Sequence, residues 1–471
     1  MATTDIEVLL NTVARPAGEY RRSPRTMHSA PRQSVADCLA GLGGPLPETG
    51  TDPAAVIDQL IKASQDGLVM QTSPRFFGWV MGSSHPAGVA ADALSGTWGQ
   101  MGALAPAVEA AEQTAQGWLL ELLDLPRECS IGFVTGATIA NFTALAAARG
   151  EVLRRVGWEA DEQGLFGAPP ITVIIGAEAH ITVFMGLQYL GLGHERVIKV
   201  KPDGQGRMDP AAFAEAINKV EGPVIVILQA GHINSGAFDD FETIIPLARQ
   251  KGAWVHVDGA FGLWARAPAP LKYLTKGIEE ADSWATDGHK WLQVPYDCGF
   301  TIVRHELAHR RAMTIAASYL PGHQAGERLG FNYAPELSRA ARGNAVWAVI
   351  KALGREGVAE MVQRHCRVAR QMAQRLSEEP GITILNDVVL NQVAVRFGAD
   401  QPLQIADELT KQTISQIQGD GICFAGGAKW FGREIMRISV TSMETNEEDG
   451  RASAEAMIAA WRKTKRDFRS S

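Results

Sequence analysis

The chain has 471 residues, 46% hydrophobic and 21% charged, with 48 glycines and 23 prolines spread without a period. This composition excludes a disordered or collagen-like chain, and the length predicts about two or three domains. A formal net charge of −7 without a basic stripe argues against nucleic acid or anionic membrane as a partner.

Residues 1–70 read as amphipathic helices, one opened by Asp52-Pro53 and continuing from Ala54 to Gly67. An aromatic, Gly- and Pro-rich segment follows from Ser73 to Gly88, then a long helix from Ala105 to Leu123. The centre alternates. Apolar runs at 131–135, 171–175, 197–200, 224–228, 254–257 and 299–303 are separated by helical stretches, as a parallel sheet buried on both faces requires. A helix from Asn344 to Gly354 leads out of this sheet. Beyond it lie a helix to about Leu376, strands near 382–385, 392–396 and 435–440, and a final helix from Glu447. The expected division is a helical segment 1–72, a large domain 73–354 and a small α+β domain 355–471, in the α/β class. In such sheets ligands sit at the C-terminal ends of the strands.

The five cysteines Cys38, Cys129, Cys298, Cys366 and Cys423 are widely spaced and form no CxxC, which argues against a disulfide framework or a zinc ribbon. The N-terminus lacks the apolar core of a signal peptide. No stretch approaches ~18 uninterrupted apolar residues, so no membrane span is expected. A reducing cytoplasm is the expected compartment. The basic run Arg462–Arg466 suits the end of a terminal helix.

His305-Glu306-Leu307-Ala308-His309 matches H-E-x-x-H, which on a helix places two imidazoles on one face as zinc ligands. A third ligand would have to come from Glu327 or Glu336, and Arg304, Arg310 and Arg311 crowd the segment with positive charge. A solvent-facing helix without metal is the preferred reading, and a zinc hydrolase the remote alternative. GxSxG, GxGxxG and a P-loop are absent.

Four strand ends carry unusual residues. In Asp287-Gly288-His289-Lys290-Trp291-Leu292, Lys290 stands in an apolar setting that favours a neutral, nucleophilic amine suited to a Schiff base. His256-Val257-Asp258-Gly259-Ala260 ends a buried strand on Asp258, which needs a cationic partner such as a protonated pyridine nitrogen. Gly259 and Ala260 would let a flat ring lie close. Thr135-Gly136-Ala137-Thr138 is a strand–turn–helix start, where backbone N–H groups and a hydroxyl bind phosphate well. His180, after Gly176-Ala177-Glu178-Ala179, is placed to stack on an aromatic ring. Each feature alone is compatible with ordinary packing. Together they describe a site for pyridoxal 5′-phosphate (PLP).

Over roughly residues 35–450 the sequence resembles the group II PLP-dependent decarboxylases, which include the aromatic-amino-acid and glutamate decarboxylases. The resemblance implies fold type I: a large, mostly parallel mixed sheet sandwiched by helices, plus a smaller C-terminal α+β domain. It implies a homodimer with active sites at the interface and an amino acid as substrate. Lys290 would hold the cofactor covalently, Asp258 would pair with the pyridine nitrogen, and His180 and Ala260 would flank the ring. Gly136, Ala137 and Thr138 would hold the phosphate, with His289 close by. Ser73–Trp79 resembles the aromatic segment lining the substrate pocket, which makes Phe77 and Trp79 substrate-binding candidates and mildly favours an aromatic amino acid. Glu336–Arg342 resembles a Ser-Arg-Arg-x-Arg segment. Arg437-Ile438-Ser439 resembles the motif that grips a substrate carboxylate in transaminases of this fold. There are departures. Asp287 stands where aromatic decarboxylases often have Asn, and His232–Gly236 differs from the Thr-rich turn of the animal enzymes. The stretch between Tyr319 and Glu336 looks shorter than the loop that carries a proton-donating Tyr. Tyr319, His323 and Tyr333 are the candidates for that donor. The expected reaction is decarboxylation to an amine, with aldehyde synthesis or transamination as alternatives.

Overall fold

A computed structural model describes residues 5–22, 24–102, 104–314 and 328–470. It divides the chain into two compact units. One comprises Val80–Arg370 with Leu385–Ala394, the other Met1–Trp79, Gln371–Ile384 and Val395–Ser471.

The larger unit is built on a seven-stranded sheet. Its strands are β1 (Ser130–Val134), β2 (Thr172–Gly176), β3 (Ile198–Val200), β4 (Val224–Gln229), β5 (Trp254–Asp258), β6 (Ser283–Asp287) and β7 (Gly299–Val303). Their order is β1-β7-β6-β5-β4-β2-β3. β7 is antiparallel to both neighbours, and the other strands share one direction. The core lies on both faces: Ile225 and Ile227 of β4 join one apolar cluster, Val226 and Leu228 the other. This is why the strands read as continuous apolar runs rather than alternating ones. β6 is the exception, since Ser-Trp-Ala-Thr-Asp has no such run. Tertiary partners make it a strand: Ser283 Oγ accepts the Trp254 Nε1–H at 2.9 Å, and the Trp284 Nε1–H reaches the Ile278 carbonyl at 3.0 Å.

The helix Ala137–Arg154 follows β1 and buries Ala140, Ala144, Ala146, Ala147 and Ala148. Small side chains let a helix approach a sheet closely. At the edge where β1 ends, Val134 and Asp287 both pair with Gly299. A Cβ on Gly299 would lie 2.5 Å from Gly136 Cα, so glycine is required for the turn after β1 to close over β7.

The smaller unit carries a four-stranded sheet of order β10-β11-β9-β8, from β8 (Ile382–Ile384), β9 (Gln392–Phe397), β10 (Gly426–Trp430) and β11 (Arg433–Ser439). β10 and β11 form a hairpin whose turn residues Phe431 and Gly432 both have positive φ, 46° and 74°. β10, Gly-Gly-Ala-Lys-Trp, has no strand pattern of its own and is fixed by this pairing. The N-terminal helices Ile6–Arg22, Val35–Leu42 and Pro53–Ser64 belong to this unit and bury no residue. Asp52 caps the third, accepting the Ala54 and Ala55 N–H groups at 3.1 Å. The helix Arg342–Ser377 is interrupted at Gly354, whose φ of 63° is non-helical. All five cysteines are free, and no helix among the described residues is long and apolar enough to cross a membrane.

Two buried histidines tie helices to the larger sheet. His256 of β5 contacts Ser283 Oγ and Asn141 Oδ1, each at 2.9 Å. His309 contacts Ser130 Oγ at 2.8 Å and the Tyr333 carbonyl at 3.1 Å. Burial pushes both imidazoles down to about 3 from an ordinary 6.5. The folded state therefore stays neutral where the unfolded chain takes up protons. Their stabilising contribution is complete above about pH 6.5 and is lost as pH falls from there toward 3, at up to about 1.4 kcal/mol per pH unit each. Denaturant unfolding of His256→Gln is expected to show a shallower loss of stability between about pH 6.5 and 4 than the wild type. Equal slopes would contradict a neutral, buried His256.

Candidate active site

Five strands of the larger sheet deliver their following residues to one cavity of about 270 Å³. Thr135–Thr138 come after β1, His180 and Thr182 after β2, Gln229, Gly231 and Ile233 from β4, Asp258, Ala260 and Phe261 from β5, and Asp287, His289 and Lys290 from β6. Register explains the convergence, because Gln229 pairs with Asp258 and Asp258 with Ala285. Parallel strands thus end level with one another at their C-terminal edge.

Gly136 is extended (φ 162°, ψ −180°) and starts the helix Ala137–Arg154 without a side-chain cap. A Cβ there would lie 2.9 Å from His289 Cε1, so the imidazole and the turn share a wall that only glycine leaves open. The Ala137 N–H donates to Asp287 Oδ1 at 2.6 Å. His289 Nδ1 accepts the Cys298 N–H at 3.1 Å, its ring stacks on Tyr296 at 4.2 Å, and burial lowers its proton affinity.

Asp258 is 4% exposed, and its carboxylate accepts the Ala260 N–H at 3.2 Å. Burial raises its proton affinity, against the opposing effects of His180 and Lys290. This is an anion held where a cationic ligand atom would relieve its desolvation. His180 caps the helix Ile181–Tyr189: Nδ1 contacts the Thr182 hydroxyl at 2.8 Å and accepts its N–H at 3.4 Å, which fixes the ring plane.

Lys290 Nζ is 2.9 Å from Asp287 Oδ2. Several residues with no local sequence signal hold its turn. Trp264 Nε1–H donates to the Asp287 carbonyl at 3.0 Å, and Trp291 Nε1–H donates to His365 Nδ1 at 2.9 Å. Gly82 N–H donates to the His289 carbonyl at 3.1 Å. A Cβ on Gly82 would meet the Lys290 carbonyl oxygen at 2.3 Å. Only Thr182 could have been found locally, as the residue two beyond a capping His180.

Phe77, Trp79 and Arg437 lie in the smaller unit. There the Phe77 N–H donates to the Phe424 carbonyl at 2.8 Å, and its own carbonyl accepts the Ser439 N–H at 3.0 Å. The aromatic segment is therefore strapped to β11, two residues from Arg437. Phe424 stacks on Phe76 at 4.9 Å and lies 5.2 Å from Trp79, which is half exposed. Burial pushes the Arg437 guanidinium down to about 10, with no counter-charge acting on it among the described residues.

Other expected residues go elsewhere. Tyr333 does not line the cavity. Its hydroxyl donates to Glu306 Oε1 at 2.5 Å and its ring packs edge-on to His309, because the short helix Gly330–Tyr333 is buried against β1 and Glu306–Met313. Tyr319 and His323 lie outside the described residues. His305 and His309 do not converge on one ligand point. His305 Nε2 faces Asp282 Oδ1 at 3.4 Å, whereas both nitrogens of His309 are engaged internally. Among the described residues no group of three His, Cys, Asp or Glu side chains could hold a metal ion, and Glu327 lies outside them. Nor is the helix Glu306–Met313 merely solvent-facing, since Ala308 and His309 are buried.

The family model of the pyridoxal-dependent decarboxylase conserved domain matches residues 44–398. The chain belongs to the pyridoxal-dependent decarboxylase family. It is 26% identical over 419 residues to the aromatic-L-amino-acid decarboxylase of Bacillus atrophaeus, covering 86% of this chain and 84% of that one. It is 24% identical over 431 residues to the phenylacetaldehyde synthase of Arabidopsis thaliana, covering 86% of each. The crystal structure of Oryza sativa TDC with PLP and tryptamine matches with a TM-score of 0.90 at 20% identity, over 98% of this chain and 99% of that one. The fold is type I. As a member of this family the chain is a PLP-dependent amino acid decarboxylase by class, and pyridoxal 5′-phosphate is its cofactor.

Gly136→Val fills the shared wall between the β1 turn and His289. It is expected to raise the Kd for PLP by about tenfold or more, a loss of roughly 1.4 kcal/mol, as read by absorbance titration. An unchanged Kd would remove this turn from the cofactor site.

Proposed function

We propose that this enzyme decarboxylates an aromatic L-amino acid to its amine and CO₂ at the cavity described above. The observation that carries the reading is the convergence of Lys290, Asp258, His180 and the Gly136–Thr138 turn on one cavity. The residues fit the cofactor. A capless helix start with a hydroxyl at Thr138 suits a phosphate. The buried Asp258 carboxylate suits a protonated ring nitrogen. The small side chain of Ala260 and the fixed ring of His180 leave room for a plane between them.

When bound, PLP supplies an electron sink conjugated to the substrate Cα. Lys290 would hold the cofactor through Nζ. Asp258 would keep a proton on the ring nitrogen, and its buried position would strengthen that charge pair. His180 would flank the ring and help orient the substrate for loss of its carboxylate. His289 backs the phosphate turn. For substrate recognition we assign Phe77, Trp79 and Arg437: an aromatic strap beside a partly buried guanidinium, with no counter-charge acting on it among the described residues, suits an aromatic amino acid.

Aldehyde formation is the second reading. One comparison favours it: a relative 24% identical over 431 residues is named phenylacetaldehyde synthase. Homodimerisation is supported by the N-terminal helices, which expose Ile6, Val8, Leu10, Val35, Leu39 and Leu42. The five free thiols agree with a reducing cytoplasm.

A screen of the common amino acids should give CO₂ and amine in equal amounts with an aromatic substrate. Aldehyde with ammonia, or an oxo acid, would overturn the decarboxylase assignment. Lys290→Ala should abolish the visible absorption of the lysine-bound cofactor, and an unchanged band would exclude Lys290. Asp258→Ala should retain some cofactor while turnover falls by about 100-fold or more. Wild-type turnover would exclude the ring-nitrogen role.

A further inference from the structure

Asp287 holds an unusual position for an anion. Its side chain is 2% exposed, with Oδ2 at 2.9 Å from Lys290 Nζ and Oδ1 at 3.5 Å from His289 Nε2. Oδ1 also takes the Ala137 N–H at 2.6 Å. The backbone on either side is fixed, by the Asp287 N–H on the Ala260 carbonyl at 2.9 Å and the Trp264 indole on the Asp287 carbonyl at 3.0 Å. The backbone that carries the carboxylate is therefore fixed at the end of β6.

The Ala137 N–H is the first donor of the helix assigned above to the cofactor phosphate. An ionised carboxylate occupies that donor and offers a phosphate oxygen no proton in return. Two anions sharing one donor in a buried pocket repel strongly. The groups facing Asp287 are Lys290 and His289 on its own turn, Asp258 from β5, and Tyr296 and Cys298 from the segment leading into β7. Of these Lys290 supplies the facing cation.

We propose that Asp287 is a proton-linked competitor for the phosphate of PLP. Its Oδ1 and a phosphate oxygen compete for the Ala137 N–H. It takes up one proton from solvent when the phosphate arrives, and then donates that proton in a hydrogen bond to a phosphate oxygen. The inference rests on the cofactor site assigned above and adds a determinant of cofactor affinity and of its pH dependence. A protonated Asp287 and an asparagine present the same kind of donor. The wild type must acquire a proton to reach that state, and Asp287→Asn has its donor at every pH.

The test is equilibrium binding of PLP, and of pyridoxal without the phosphate, to apoenzyme between about pH 5.5 and 8.5, read by absorbance or fluorescence. The comparison is wild type against Asp287→Asn and Asp287→Ala. The ratio of wild-type Kd to Asn-variant Kd for PLP is expected to rise with pH by up to tenfold per unit, reaching at least about tenfold tighter binding by the variant near pH 8. Asp287→Ala should lose the same pH dependence. For pyridoxal the ratio should rise less steeply, because any effect of Asp287 on the Lys290 amine is common to both ligands and only PLP carries the phosphate. Parallel PLP profiles, an equal slope with pyridoxal, or weaker PLP binding by Asp287→Asn at every pH would overturn the proposal. Absence of PLP binding to the wild type would instead overturn the site assignment on which it rests.

Discussion

A carboxylate at the end of a strand buried on both faces is the constraint on which the rest of this structure depends. Asp258 has one backbone N–H close to it and almost no exposure. An anion so placed is costly unless something cationic comes to it. The sheet brings candidates from its neighbours: Lys290 from the turn after β6 and His180 from the turn after β2. Parallel strands in level register make this possible, because every following turn opens on the same edge. β7, running the other way, contributes Gly299, whose missing side chain lets the β1 turn settle beside Asp287.

The cavity lining combines backbone donors at a helix start, a buried carboxylate and a lysine amine. A cofactor that fills it suits these groups if it carries both an anion and a protonatable nitrogen. Asp287 complicates the first requirement, since it places a second carboxylate where the anion belongs. Its ion pair with Lys290 offsets that charge.

Much of this was legible in the sequence for a specific physical reason. Strands buried on both faces are short apolar runs, and β1, β2, β4, β5 and β7 all show them. Asp258, His180 and Gly136–Thr138 follow those runs closely and could be picked out by position, whereas Lys290 was marked by its apolar flanks Trp291 and Leu292. β6 and β10 were not legible as strands, because Trp284 and Ser283 are held by distant partners and β10 by its hairpin mate. Gly82, Trp264 and His365 escaped for the same reason: each acts through a contact far away in the chain. Tyr333 shows the converse. Its place in the sequence suggested a proton donor, but the burial of its helix turns the hydroxyl to Glu306.

The central claim is that Lys290, at the strand end facing Asp258, holds the cofactor. Reduction of the PLP-loaded enzyme with borohydride, followed by digestion and mass spectrometry, tests it directly. The account predicts a single pyridoxyl group, on the Lys290 of the Asp287–Trp291 segment. A pyridoxyl group on any other lysine, or none in enzyme that has bound PLP, would contradict it.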